Sequence, residues 1–388
     1  MGGKDEPIWK RPEAFPPGGD GWGWVDRKGK RHDCESAEAL AKAIVDDAGA
    51  RVDMVWTPAS PHLVLPEEVR ELWPALKSAR LKWAEWEMDE GWRQMKVFGL
   101  FMAGFAVLSY FGKGGASIMS TLGLALILFL ILGFFPWYQG RKRWKRAKAW
   151  AADQAEPDLE GLRFEVWLMA QKAPVTRALA VLMGAVALAQ WLGPLDLGTQ
   201  IQAVGLVKQD GKAIDWWRLG TAAFMHGHPL HLIFNLSALL YLGRRMEVLV
   251  RWPHLLVVFA LAAWIGNECS ARWVPGPSLG ASGGLLGMLG FLLVFEWMHR
   301  RLVPESSTRR LLAGLLMTAA IGVVGFQFID NAAHAGGTVA GMLYAFAMFP
   351  RSSAATRPRM SGVDLAAGFV AAAVVLVFGG WTLTKLLG

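Results

Sequence analysis

The sequence predicts an all-α polytopic membrane protein with a small α+β domain at its N-terminus, and three observations predict it. Of the 388 residues, 53% are hydrophobic and 19% charged, with a mean hydropathy of +0.30, which is more apolar than soluble domains of this size require. Nine apolar runs, at 97–112, 117–138, 175–193, 219–242, 253–271, 282–298, 311–328, 332–349 and 363–386, approach the twenty or so residues that cross about 30 Å of hydrocarbon. Basic residues concentrate in every second connection between these runs, as the rule for cytoplasmic loops requires. The same numbers exclude other classes. The low charge fraction excludes disorder, and the absence of Gly-X-Y or heptad periods excludes collagen and coiled coil. Two cysteines, Cys34 and Cys269, cannot form a disulfide framework, and neither has a neighbour at metal-ligand spacing. The formal charge of +8 is spread over short segments between apolar runs, so it reports topology and no nucleic-acid partner is expected.

The elements follow in chain order. Residues 1–20 mix charge with Pro and Gly and carry no secretory signal, so residues 1–94 are expected to form a soluble cytoplasmic domain. GWGWVDRKGKRHD reads as strand, Gly-containing turn and strand. A helix capped by Ser36 follows, with Glu38, Leu40 and Ile44 continuing its pattern. VDMVW and HLVL are further strand candidates. From Pro66 a long amphipathic, Trp-rich helix begins, with a kink expected at Pro74. Residues 95–140 read as a transmembrane hairpin, 141–174 as a basic cytoplasmic linker and 351–388 as a C-terminal span. The charge asymmetry supports this frame. The loop after Tyr138 holds six Lys and Arg residues between Arg141 and Lys148, and later alternate loops hold Arg244, Arg245 and Arg251, then Arg300, Arg301, Arg309 and Arg310, then Arg351, Arg357 and Arg359. The intervening loops are nearly bare, with Lys113, then Lys208, Lys212 and Arg218, then Arg272. The loops around 195–225, 272–281 and 328–332, and the C-terminus, are therefore expected outside.

Three polar clusters lie at the outer ends of the central spans, where burial of a polar group is costly enough to suggest function. In HGHPLHLIFN, His231 and Asn235 are four apart and share a helix face. In GASGGLLGMLG, Ser282 sits at a helix start. In DNAAHAGGTVAG, His334 lies just inside its helix, with Gly337 and Gly341 on the same side. Each has a plainer explanation: interfacial histidines, an interhelical asparagine, and small-xxx-small spacing (Gly283 and Gly287, Gly337 and Gly341) that serves only helix packing. The two explanations are compatible, because a nucleophile and base on different helices meet only if those helices approach closely. Length adds to the case. From Gly283 to His299 there are about sixteen residues, roughly 24 Å of helix, short of the bilayer core. Ser282 is thus expected below the outer surface, with RWVPGPSLGA descending to line a polar cavity.

A serine hydroxyl needs a base, and His334 is the residue titrating near neutrality on the matching helix face. No carboxylate completes a triad, since Asp330 lies one turn outward and suits a helix cap. The expectation is a Ser282–His334 dyad, with the Ser282 N–H, the Asn235 amide and His231 as oxyanion donors. A metal-dependent or transporter role for His226, His228 and His231 is the competing chemistry, although no HExxH accompanies them. Aspartyl proteolysis is disfavoured because the spans lack a pair of Asp residues.

The ordered set resembles the rhomboid family of intramembrane serine proteases: Trp217 and Arg218, His226, His231 and Asn235, Glu247, Gly280 to Gly283 around Ser282 with Gly287 and Gly290, then His334 with Gly336, Gly337 and Gly341. The resemblance covers about residues 175–350. It implies a six-helix rhomboid-like catalytic core to which the hairpin, the last span and the N-terminal domain are additions. It also implies Ser282 as nucleophile, His334 as base, and His231, Asn235 and the Ser282 amide as the oxyanion site, supported by His226, Gly280, Gly283 and Gly337. The implied reaction is cleavage of transmembrane protein substrates near their outer boundary, after a small residue, with no cofactor and with membrane lipid as the surroundings. Trp217, Arg218 and Glu247 would be structural. One departure is Leu286, where the family often has Tyr against the histidine. A non-catalytic, client-binding rhomboid-like protein is the alternative, though such proteins usually lose the Ser or His. A bacterial inner membrane is the expected setting.

Overall fold

The computed structural model describes residues 6–26, 29–46, 52–111, 122–123, 125–151 and 158–388. The Lys113 loop of the hairpin lies outside them. Two compact units divide the chain, one of residues Ile8–Trp167 and one made chiefly of Leu168–Gly388.

The first unit begins with strands β1 (Trp22–Val25), β2 (Arg31–Cys34) and β3 (Met54–Trp56) in the antiparallel order β2-β1-β3. Trp24 faces His32 across β1–β2 and Val55 across β1–β3, and its ring stacks on the His32 ring at 4.3 Å. Helix α1 (Ala37–Asp46) starts where Ser36 Oγ accepts the Ala39 N–H and lays Leu40 and Ile44, one turn apart, on the sheet with Trp24, Val55 and Leu72. HLVL does not form a strand; it contributes only the isolated bridges His62 to Pro17 and Val64 to Val55, which leaves β3 without a full partner on that side. Helix α2 (Trp73–Phe111) runs unbroken for 39 residues. Pro74 produces no kink because it occupies the first turn, where no intrahelical N–H is needed. The same helix therefore serves the α+β region and the hairpin. Helix α3 (Phe135–Ala149), entered through a π-helical stretch at Phe129–Phe134, packs antiparallel on α2. Their approach is close: a Cβ on Gly91 would fall 2.6 Å from the Trp137 nitrogen. Arg143 pairs with Glu87 at 3.0 Å along the same seam. Trp150, just past α3, returns to the N-terminal core under Arg80.

After α4 (Leu159–Ala170), the second unit consists of α5 (Pro174–Leu192), short α6 (Leu197–Val204) and α7 (Arg218–Thr221), then α8 (Pro229–Leu249), α9 (Trp252–Trp273), α10 (Ser282–Met298), α11 (Glu305–Val324), α12 (Asn331–Met348) and α13 (Gly362–Leu387). Among the described residues, α5, α9, α11 and α13 are long and apolar enough to cross a membrane, and α10 is a shorter apolar helix of 17 residues. The protein is an integral membrane protein. α10 is the buried centre, with α12, α9, α8 and α11 around it, whereas α11 and α13 expose Leu316, Val323, Phe369 and Leu376 as lipid-facing helices do. Glu247 on α8 caps the start of α5, accepting from the Val175 and Thr176 N–H groups at 3.0 and 2.8 Å. Arg218 organises the segment before α8: its guanidinium donates to the Gly205 and Gln202 carbonyls and to Asp215. Trp217 stacks on Trp381 of α13 at 5.3 Å.

Candidate active site

Three helix contacts position the site. Where α10 meets α12, neither helix has room for a side chain: a Cβ on Gly287 would lie 2.9 Å from the Gly337 carbonyl oxygen, and one on Gly337 or Gly341 would collide with the Gly283 or Gly287 carbonyl. α9 joins them through Gly266, whose Cβ would fall 2.7 Å from the Ala333 oxygen. Close backbone approach through small residues is how membrane helices bring side-chain groups near their ends into contact.

At that seam, Ser282 opens α10 and His334 lies in the first turn of α12. The His334 Nε2 and Ser282 Oγ are 2.8 Å apart, both residues being half-buried. For Nε2 to accept the hydroxyl proton, the neutral ring must carry its own hydrogen on Nδ1. Asp330 is the N-cap of α12, its Oδ1 accepting the Ala333 N–H at 2.9 Å. The Thr338 hydroxyl donates to the His334 carbonyl at 2.7 Å one turn on.

The α8 residues approach from the other side. Asn235 is buried and its amide donates to the His231 carbonyl at 3.0 Å, with a second amide N–H to offer. The His231 ring lies against Gly280, two residues before the serine: a Cβ there would sit 2.6 Å from His231 Cε1. Gly280 also has φ +126°, a conformation that L side chains rarely adopt. Its N–H donates to the Ala222 carbonyl at 2.9 Å, fixing the approach to Ser282. His226 is fully buried, edge-on to His231 at 5.2 Å, and neither of its ring nitrogens has a hydrogen-bond partner among the described residues. Its backbone is held by Gln190 of α5, which accepts from the His226 N–H at 3.0 Å and donates to its carbonyl at 2.7 Å. His228 stands apart: it is exposed, and its Nδ1 caps α8 by accepting the Leu230 N–H. Leu286 is partly exposed on α10. Gln190 and Gly266 escaped the sequence reading, since a polar residue late in one span and one more glycine in another carry no motif.

The fold and site define a polytopic helical membrane protein with a serine and a histidine in hydrogen-bond contact at the ends of two tightly packed helices. Residues 213–351 match the family model described as rhomboid domain. The chain is 31% identical over 160 residues to rhomboid protease GluP of Bacillus subtilis, covering 40% of this chain and 31% of that protein. It is 31% identical over 147 residues to rhomboid protease GlpG of Pectobacterium atrosepticum, covering 35% and 50%, and 29% identical over 138 residues to inactive rhomboid protein 1 of Rattus norvegicus, covering 35% and 16%. The chain thus spans half or less of the length of these relatives. Residues 213–351 thus carry a rhomboid domain, and the chain is similar to rhomboid proteases over that region.

Proposed function

We propose that this protein is an intramembrane serine endopeptidase that cleaves transmembrane protein substrates near the outer membrane boundary through an acyl-enzyme. The observation that carries this reading is the 2.8 Å contact between Ser282 Oγ and His334 Nε2. The Ser282 oxygen attacks the scissile carbonyl as its proton passes to His334, giving a tetrahedral oxyanion. His334 then returns the proton to the leaving amine as the C–N bond breaks, and the acyl group stays on Ser282. Water, deprotonated by His334, attacks the ester, and collapse of the second tetrahedral species restores the serine hydroxyl. The Ser282 N–H at the start of α10 and the second N–H of Asn235 are the assigned oxyanion donors. His231, backed by Gly280, completes that wall, and His226 supports it from behind. The charge asymmetry supports a cytoplasmic N-terminus and a site open to the extracytoplasmic side, and the membrane assigned is a bacterial inner membrane.

The non-catalytic reading is drawn from a family that includes an inactive member among the relatives. The retained serine and histidine, and the contact between them, weigh against it. Reconstituted with transmembrane substrates bearing small residues near their outer boundary, the protein is expected to cut at one position, located by mass spectrometry. Ser282→Ala should reduce the rate by at least about a thousandfold. Cleavage that persists in that variant would overturn the reading.

A further inference from the structure

Behind the serine and histidine lies a polar network that the reaction above does not use. Lys208 stands in a two-stranded hairpin, Lys208–Gln209 paired with Lys212–Ala213, in the segment between α6 and α7. Its Nζ donates to Ser270 Oγ and Ser278 Oγ, each at 2.7 Å, and to the Val274 carbonyl at 3.1 Å. These bonds use all three ammonium hydrogens. Ser270 is fully buried near the outer end of α9 and hydrogen-bonds the Asp330 carboxylate, while its Oγ lies 3.0 Å from Ser278 Oγ. Each partner leads to one half of the site. Asp330 is the cap of α12, one turn before His334. Ser278 lies four residues before Ser282, and its backbone is paired with Leu206 by two hydrogen bonds of 3.0 and 3.1 Å. A single cation thus joins the loop that delivers the serine and the helix start that delivers the histidine.

We propose that Lys208 is a positioning residue: its ammonium, through Ser270, Ser278 and Asp330, holds the Ser282 loop and the start of α12 at the separation that proton transfer requires. The assignment rests on the protease reading above. The Lys208 hairpin, the end of α9 and the Ser278 loop are tied to one charged donor, with the start of α12 reached through Ser270, so removing the donor takes a hydrogen bond from two hydroxyls and a carbonyl at once and leaves the Asp330 carboxylate without the cation near it. Burial pushes the Lys208 amine below the ordinary lysine range, and the Asp330 carboxylate works against that. The charged form persists below the depressed value and is lost as pH rises through it, so the network fails at lower pH than a free lysine would titrate. Titratable groups near this network include Asp210 and Lys212 on the Lys208 hairpin, Cys269, Glu268 and Arg272 at the end of α9, the last two paired at 2.8 Å, and His334 on α12.

The test uses the full-length protein in detergent, with labelling of Ser282 by a fluorophosphonate and turnover of a cleaved transmembrane substrate as readouts. Lys208→Met is expected to slow labelling and lower kcat by about tenfold or more while KM stays within about twofold. Lys208→Arg, which keeps the charge and does not titrate, should recover most of the rate and stay active to higher pH than the native protein. Native labelling rates in Lys208→Met would overturn the assignment, as would an arginine variant as slow as the methionine one or one with the native alkaline limb. Should Lys208→Met fail to fold, the alkaline comparison of Lys208→Arg with the native protein decides alone. A native protein that takes no adduct at Ser282 overturns the protease reading itself, whereas an adduct whose rate ignores Lys208 overturns only this assignment.

Discussion

Asn235 shows how a side chain can be legible in kind and not in engagement. Its spacing of four from His231 placed both on one face of α8, and the structure keeps them there, yet the amide is already tied to the His231 carbonyl at 3.0 Å. In the proposed reaction that bond would hold the carboxamide in place before substrate binds, so that it needs no reorganisation when the oxyanion forms. Asn235→Ala is expected to lower kcat on the order of a hundredfold with KM nearly unchanged, measured with a cleaved transmembrane substrate. A rise in KM at constant kcat would assign Asn235 to substrate binding instead. Ser282 and His334 were legible because each is a chemically distinctive residue at a helix start. Lys208 was not, because a lysine in a sparse outer loop reads as a solvated charge until the fold brings Ser270, Ser278 and Asp330 to it. The role of Gly280 was equally hidden: its sequence context says small, but only the backbone shows a φ of +126° and the His231 ring where a side chain would go.

At the scale of elements, the pairing of α10 with α12 decides whether two residues 52 positions apart can share a proton. The glycine spacing suggested contact between these helices, and the structure shows backbone against backbone. Gly337→Val places a branched side chain against the Gly283 carbonyl. Overpacking of this kind typically costs about 1–3 kcal/mol, and here it also separates nucleophile and base. The variant is expected to lose fluorophosphonate labelling by about a hundredfold or more and to unfold at lower temperature. Native labelling in a destabilised variant would detach helix spacing from the chemistry. Apolar run lengths matched α5, α9, α10, α12 and α13 to within one or two residues, whereas the run at 219–242 took in α7 and the loop before α8, and the reading failed where tertiary context intervenes. HLVL has the composition of a strand but makes only single bridges. Pro74 has the chemistry of a kink, but its position in the first turn of α2 makes it harmless. Arg245, which forms a buried pair with Glu296 at 2.8 Å with Ser307 and Thr308 completing the carboxylate's bonds, was read only as part of a basic loop, since burial of one arginine among several cannot be told from charge counts.

For the whole molecule, hydropathy and run length conveyed the class, a helical integral membrane protein, and the alternation of basic loops carries an expected sidedness. The structure adds that the α+β region and the hairpin share one continuous helix and lie in one compact unit. Run lengths divide them because hydropathy changes along α2 while its backbone does not. Sidedness can be tested with single cysteines in a background where Cys34 and Cys269 are replaced by serine. Lys212→Cys, exposed in the hairpin before α7, should react with a membrane-impermeant thiol reagent from outside intact cells. Arg309→Cys, exposed at the start of α11, should react only after lysis. The reverse pattern would invert the topology and turn the site toward the cytoplasm. The central claim is that Ser282 is a nucleophile activated by His334, and the most direct measurement is fluorophosphonate treatment of the purified native protein with the adduct located by peptide mass spectrometry. The account predicts an adduct on Ser282 that is lost in His334→Ala. A folded protein that takes no adduct, or one labelled equally without the histidine, would contradict it.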